Sequence, residues 1–228
     1  GVFQLPDAVI YDLAVRYGPA GSAIPRVLLV GVDPEDRNAG DQTWLRVLDT
    51  LEKLEARQIL FAFVPPNASP NFYRRALAMD KIVFGRGLVA DPSGHLDEAR
   101  LEPWPAAVDA LERELPFGVV AVPPADRGIY RRQYAWYALQ GQPYPALEAR
   151  AASQLAGDRP PLPERSYWVN FRGGPAYLPM VTLQRLLRNG LIPELVRGRS
   201  VLIGLLPSPQ TPSLHTPLDQ PPDAGMTL

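Results

Sequence analysis

Short apolar runs that stop at charged or turn-forming residues place the tightest limit on how this chain folds. Val27-Leu-Leu-Val-Gly-Val32 stops at Asp33, and Ile59 to Val64 closes at Pro65-Pro66. Phe117 to Val122 leads toward Asp126-Arg-Gly-Ile-Tyr-Arg131, and Val201 to Ile203 stops at Gly204. Such runs are continuous and largely β-branched, which suits strands buried on both faces in a parallel sheet. Between the first two lies an amphipathic stretch, residues 41 to 57, where Leu45, Leu48, Leu51 and Leu54 recur among charges. Strand, helix, strand order predicts a single α/β domain, its mainly parallel sheet flanked by helices and its crossovers right-handed. In such sheets ligands sit beyond the strands' carboxyl ends, where this chain collects its polar groups.

The remaining elements follow from the same signals. A helix is expected over residues 6 to 17, ended by Gly18-Pro19, and another over Asn71 to Met79 with Pro70 at its start. Lys81 to Val89 reads as a strand, 91 to 105 as loop, and Ala106 to Glu114 as a short helix. Tyr130 to Tyr137 alternates and is aromatic, which predicts an antiparallel excursion near residues 128–137. Tyr144 to Leu155 reads as a helix stopped by Gly157, Ser166 to Arg172 as a strand, and Val181 to Asn189 as a helix capped by Gly190. Pro207 to Pro222 is too poor in apolar residues for a core of its own. Proline is frequent, 27 of 228 residues, but it clusters between apolar runs and is read as rigid loop.

Composition removes several function classes. A net charge of −1 speaks against a general nucleic-acid or polyanion binder. With no cysteine there is no disulfide, thiolate metal site or cysteine nucleophile. The two histidines, His95 and His215, lack zinc-site spacing. No serine sits in a nucleophile elbow and no glycine-rich phosphate loop is present. No metal or cofactor is expected. No apolar run is long enough to span a membrane and no signal peptide is visible. The chain starts without Met and stops at Asp223-Ala-Gly-Met-Thr-Leu228 without a closing element, so it reads as a piece excised from a longer protein.

The candidate ligand residues each have a plainer alternative. Asp33 is a ligand carboxylate or a turn residue before Pro34. Asp126 and Arg131 hold a polar ligand or shape their own loop. Arg172, beside Asn170, Gly173 and Gly174, offers a guanidinium to a carboxylate or phosphate. Trp44, Trp104, Trp136 and Trp168 line a pocket or anchor the core.

In order and spacing these pieces resemble the CHASE type-two sensor domain of bacterial membrane receptors. Tyr11-Asp12 with Arg16 resembles its entry helix, and Val30-Gly-Val-Asp33 its first strand and acidic end. Trp44-Leu45-Arg46 resembles a Trp-Pro-Arg helix start, with Leu in place of Pro. Asp126-Arg-Gly-Ile-Tyr-Arg131 resembles its Asp-x-Gly-x-x-Arg turn, and Trp168-Val-Asn-Phe-Arg-Gly-Gly-Pro175 its Asn-aromatic-x-Gly-Pro strand. Arg197-Gly-Arg-Ser-Val-Leu-Ile-Gly204 with Thr216-Pro217 resembles its closing strand and Thr-Pro loop, and Gly225 fits a glycine near its end. Two departures stand out. Phe61-Ala62-Phe63 occupies the second strand where members often carry an Asp, and the Asp often found before the closing Thr-Pro is absent.

The resemblance implies a non-catalytic signal-sensing domain in the periplasm, with one membrane helix before it and typically three after. It would relay ligand or partner binding to a cytoplasmic cyclic-di-GMP enzyme, nucleotide cyclase or kinase. Residues 207–228 would lead toward the membrane. Asp33, Asp126, Arg131, Arg172 and Thr216 are the expected pocket residues. The expected partner is a small molecule or a periplasmic protein, not nucleic acid, and a homodimer is expected by analogy with membrane receptors. The rival readings are a partner-binding module that has lost small-molecule sensing, and a soluble α/β enzyme.

Overall fold

The computed structural model describes residues 26–89, 99–111, 114–123, 129–156, 166–169, 178–188 and 193–206. Their strands are β1 (Val27–Val32), β2 (Gln58–Phe61), β3 (Ile82–Arg86), β4 (Leu88–Val89), β5 (Arg100–Leu101) and β6 (Phe117–Val119). There follow β7 (Arg132–Tyr134), β8 (Trp136–Leu139), β9 (Gln142–Pro145), β10 (Ser166–Trp168), β11 (Met180–Thr182) and β12 (Ser200–Leu205). The helices are α1 (Asp41–Lys53), α2 (Pro70–Ala78), α3 (Leu147–Ala156) and α4 (Leu183–Leu187), with 3-10 turns at Pro34–Asn38, Ala106–Leu111 and Pro193–Leu195.

Six strands form one sheet in the order β11-β1-β12-β2-β3-β6, and every neighbouring pair is parallel. β2 and β3 are buried on both faces, as their apolar runs require, whereas β1 and β12 are buried on one face and largely half-buried on the other. Leu28, Val30, Val32, Ile59, Phe61, Ile82, Phe84, Val201 and Ile203 face the main core. There they meet Trp44, Val47, Leu48 and Leu51 of α1, Phe72, Tyr73 and Ala76 of α2, and Leu183 and Leu186 of α4. On the opposite face, Leu60 and Val83 pack against Leu147 and Ala151 of α3. That helix presses so closely on β6 that a Cβ at Gly118 would stand 2.5 Å from the Leu147 Cα, so the position requires glycine. A third cluster, built on Val119, Tyr137, Leu139 and Ala146, roots the antiparallel excursion beside β6.

The excursion is two units rather than one strand. β7 pairs with β10, the chain breaks step at Ala135, and β8 forms a hairpin with β9. Gln140 and Gly141 make that hairpin turn with φ of 50° and 77°, the left-handed geometry a two-residue hairpin needs. Residues 142–145 are thus strand, not the helix start expected from Tyr144, and α3 begins at Leu147.

Other boundaries moved for local reasons. The helix expected to reach Arg57 ends at Lys53, because Glu55 adopts φ 57° and Ala56 bridges to Arg197. The strand expected over Lys81 to Val89 divides at Gly87, and β4 leaves the sheet to pair with β5, inside a stretch expected to be loop. Val181 lies in strand β11, not in the helix expected from it, which begins at Leu183. The second and fourth expected strands end early, at Phe61 and Val119. Finally, β1 and β2 are not neighbours, since β12 lies between them. The expected helix over 6–17, the stops at Gly157 and Gly190, both histidines and the Pro-rich segment lie outside the described residues.

Candidate functional site at the carboxyl edge of the sheet

Asp33 leaves the end of β1 in an extended conformation and starts the 3-10 turn Pro34–Asn38, with Pro34 in its first position. Its backbone oxygen accepts from the Asp36 N–H at 2.9 Å. The carboxylate makes no capping hydrogen bond and is exposed, so the turn is shaped by backbone and proline while the charge stays available. Arg37, four residues on, was not singled out by the sequence. Its Nε is shielded from solvent and has no acceptor, an unusual state for a group that normally finds one. Gln184 of α4 donates to Asp36 Oδ2 at 3.1 Å, tying this turn to the helix beside β11.

The loop after β2 closes against the same turn. Asn67 Nδ2 donates to Asn38 O at 2.9 Å, and Asp41 Oδ1 accepts from Ser69 N at 2.8 Å. Tyr73 Oη donates to Pro65 O at 2.6 Å, and Trp44 Nε1 to Ala39 O at 3.0 Å. Trp44 is a core anchor. Its ring meets Phe61 and Phe63 edge-on at 6.0 and 5.7 Å. Phe61 of β2 and Phe63 just beyond it are thus committed to aromatic packing, and β2 offers Asp33 no carboxylate.

Arg131 is buried, and its backbone oxygen accepts from Val169 N at 2.9 Å. It belongs to the β7–β10 region, which hangs beyond β6; Tyr137 Oη, for instance, donates to Ala121 O at 2.8 Å. Between β1 and β6 lie β12, β2 and β3, so four strand spacings, about 19 Å, separate the two ends of the edge. Asp33 and Arg131 do not converge. Asp126, Arg172 and Thr216 lie outside the described residues.

The β3–β6 end of the sheet is filled by the chain's own side chains. Arg86, the last residue of β3, places its guanidinium 4.8 Å from the Trp104 ring and 5.0 Å from the Phe117 ring. It also donates from Nε and Nη2 to Glu102 O at 3.0 and 2.6 Å. Stacking plus two hydrogen bonds fixes the planar fork, a role lysine cannot reproduce. The sequence signal was there, an arginine ending an apolar strand. Among the described residues no group of three or more His, Asp or Glu side chains gathers to hold a metal.

Three tyrosines give the domain an alkaline limit. Burial raises the pKa of Tyr73, with Asp41 adding to it. Burial raises those of Tyr137 and Tyr167 too, followed in each by the nearby Glu148 carboxylate, to which Tyr167 Oη also donates at 3.2 Å. The folded state therefore keeps these protons where an unfolded tyrosine, with pKa about 10, releases them. Stability from this source is complete below about pH 10 and is lost as pH rises beyond it. Melting followed by circular dichroism should give a constant Tm from pH 8 to about 9.5 and a falling one above about 10. A Tm unchanged to pH 11.5 would contradict the burial of these hydroxyls.

An all-parallel sheet with helices on both faces and a polar carboxyl edge defines a domain of the α/β class. The chain belongs to the CHASE2 domain family, whose model matches residues 1–227, essentially its whole length. CHASE2 domains are extracellular sensor domains, not catalytic ones. No curated protein and no solved structure matched significantly. No helix of the described residues is long and apolar enough to cross a membrane.

Proposed function

We propose that this domain senses a signal outside the cytoplasmic membrane, in the periplasm, as part of a bacterial transmembrane receptor acting as a homodimer. It relays ligand or partner binding to a cytoplasmic cyclic-di-GMP enzyme, nucleotide cyclase or kinase. The observation that carries this reading is the family match over residues 1–227. The exposed, uncapped carboxylate of Asp33 marks the end of the carboxyl edge where a small ligand is held. Arg131, Asp126, Arg172 and Thr216 are the proposed contacts for a partner that reaches beyond the Asp33 end. Because about 19 Å separates the Asp33 end from β6, one small ligand reaches only one end, whereas a protein partner spans both. The Asp33 turn follows β1, which pairs with β12, and from β12 the chain continues into residues 207–228, so a shift there is passed to the segment proposed to lead on to the membrane. A ligand drives that shift only as far as its affinity differs between the two arrangements.

Two measurements test the proposal. The parent sequence should show one hydrophobic helix before Gly1 and about three after Leu228, followed by an output domain. A stop soon after Leu228 with no membrane segment on either side would hand first place to a soluble enzyme. On the isolated chain, a thermal-shift screen of small polar metabolites should find a compound that stabilises it by about 2.7 kcal/mol at a hundred times its Kd. Asp33→Ala should abolish that shift and leave the ligand-free Tm unchanged. A full shift in Asp33→Ala would remove this residue from the site.

A further inference from the structure

The opposite, amino edge of the sheet carries a row of arginines set by strand register. Val27, Ser200 and Gln58 are direct partners across β1, β12 and β2. The residues just before them are Arg26, Arg199 and Arg57. The ladder continues through this level, with Ser200 N donating to Arg26 O at 3.0 Å and Arg57 N to Arg199 O at 2.9 Å. Side chains at one register level leave a sheet on the same side, so the three arginines stand side by side at about 4.8 Å intervals. None of the three forms an ion pair among the described residues, whereas nearby Arg197 is matched by Glu55 at 3.0 Å. Arg26 and Arg57 are exposed and Arg199 half-buried. Lys81, before β3, extends the positive edge by one strand, its Nζ donating to Ala56 O at 3.1 Å. Three like charges this close make a locally positive edge that a facing anionic surface would neutralise.

We infer that this row is a docking edge for an anionic lipid surface. The inference rests on the membrane-anchored reading above. Three features favour a bilayer over a small anion or an acidic protein. The row is linear and lies along an edge, so it matches an extended charged plane and does not converge on one anion. Residue 25 joins β1 at Arg26, so the segment on which a preceding membrane helix would sit enters through this edge. The turn beyond β1 at the carboxyl edge is net acidic, Asp33, Glu35 and Asp36 outnumbering Arg37, while at the amino edge the arginines and Lys81 outnumber Glu55 and Asp80. A negative surface therefore attracts one edge, repels the other, and turns the candidate ligand edge away from the membrane.

Vesicle sedimentation of the 228-residue chain tests this. The chain should bind phosphatidylglycerol vesicles at low salt, bind phosphatidylcholine vesicles negligibly, and dissociate as salt is raised. The triple variant Arg26→Gln, Arg57→Gln, Arg199→Gln should lose about a hundredfold in partitioning, each arginine near an anionic surface contributing about fivefold. A control triple, Arg74→Gln, Arg150→Gln, Arg185→Gln, removes equal charge from exposed positions elsewhere and should change partitioning several-fold at most. Equal losses in both triples, or no vesicle binding by the unaltered chain, would overturn the inference. Calorimetric binding of inorganic phosphate or of a polyglutamate peptide without vesicle binding would also overturn it, assigning the row to a soluble anion or an acidic protein. A parent without membrane segments that still binds vesicles would sink the receptor reading and leave the docking edge standing.

Discussion

Ending the chain after Arg199 is expected to abolish cooperative folding. The last described strand, β12, is not a terminal ornament; it is inserted between β1 and β2 and pairs with both. Its Val201 and Ile203 are fully buried in the main core. Without it, the β11–β1 pair and the β2–β3–β6 block share no ladder, and each exposes an open strand edge at what was the middle of the sheet. Loss of two ladders and of two buried branched side chains exceeds the 5–15 kcal/mol of stability typical of a domain. Far-ultraviolet circular dichroism under a urea gradient should show no sigmoidal transition for the shortened chain. A cooperative transition with the full chain's m-value would show that β12 is dispensable. Leu202→Pro separates this strand from the loss of residues 206–228. It leaves the length intact but removes a ladder donor from a central strand, and should cost about 3 kcal/mol or more. The same topology makes folding slow, because β1 finds its central partner only across the intervening sequence, and long-range pairing carries a large closure entropy.

That insertion was not legible in the sequence. The apolar run at 201–203 identified a buried strand, but nothing in it says which gap in the sheet it fills. Parallel sheets are generic at the level of composition, and strand order is settled by helix packing and closure. What could be read was whatever local chemistry decides. Pro70 opens α2 in its first turn, with Ser69 accepting from Asn71 N at 3.1 Å. The alternation at 130–137 marked an antiparallel excursion correctly, but the break at Ala135 and the hairpin through Gln140-Gly141 were hidden by the apparent helix from Tyr144. β11 was missed because Met180–Thr182 is too short to show a period, and Thr182 is also the cap of α4, accepting from Arg185 N at 3.2 Å.

The candidate site divides in the same way. Asp33 could be placed at the carboxyl edge from the sequence because a charge directly after a buried strand lies there in any register. Its distance from Arg131 depends on strand order, so their separation was beyond the sequence. Arg37 and the arginine row were overlooked for related reasons. The first is distinguished only by an unmet donor, and the second consists of residues far apart in sequence that register alone brings level.

Phe61→Ala should be the most damaging single truncation in the core. The ring is fully buried at the junction of four others. It stacks on Phe84 at 5.4 Å and meets Phe72, Trp44 and Phe63 edge-on at 5.9, 6.0 and 6.3 Å. Because Phe61 joins residues from α1, α2 and β3, no single element can move to fill the space it leaves, and the cavity term persists. The expected loss is about 3–5 kcal/mol, which lowers Tm by about 6–20 °C for a domain of this size. Phe61→Leu restores most of the apolar volume but not the ring contacts, each worth about 0.5–1.5 kcal/mol, and should fall between the two. Phe63→Ala, at the rim of the cluster with 6% exposure, should cost less because the loop after β2 can settle inward. Urea denaturation gives all three values. If Phe61→Ala lost under about 1 kcal/mol, or less than Phe63→Ala, the aromatic junction would not be the centre of the fold.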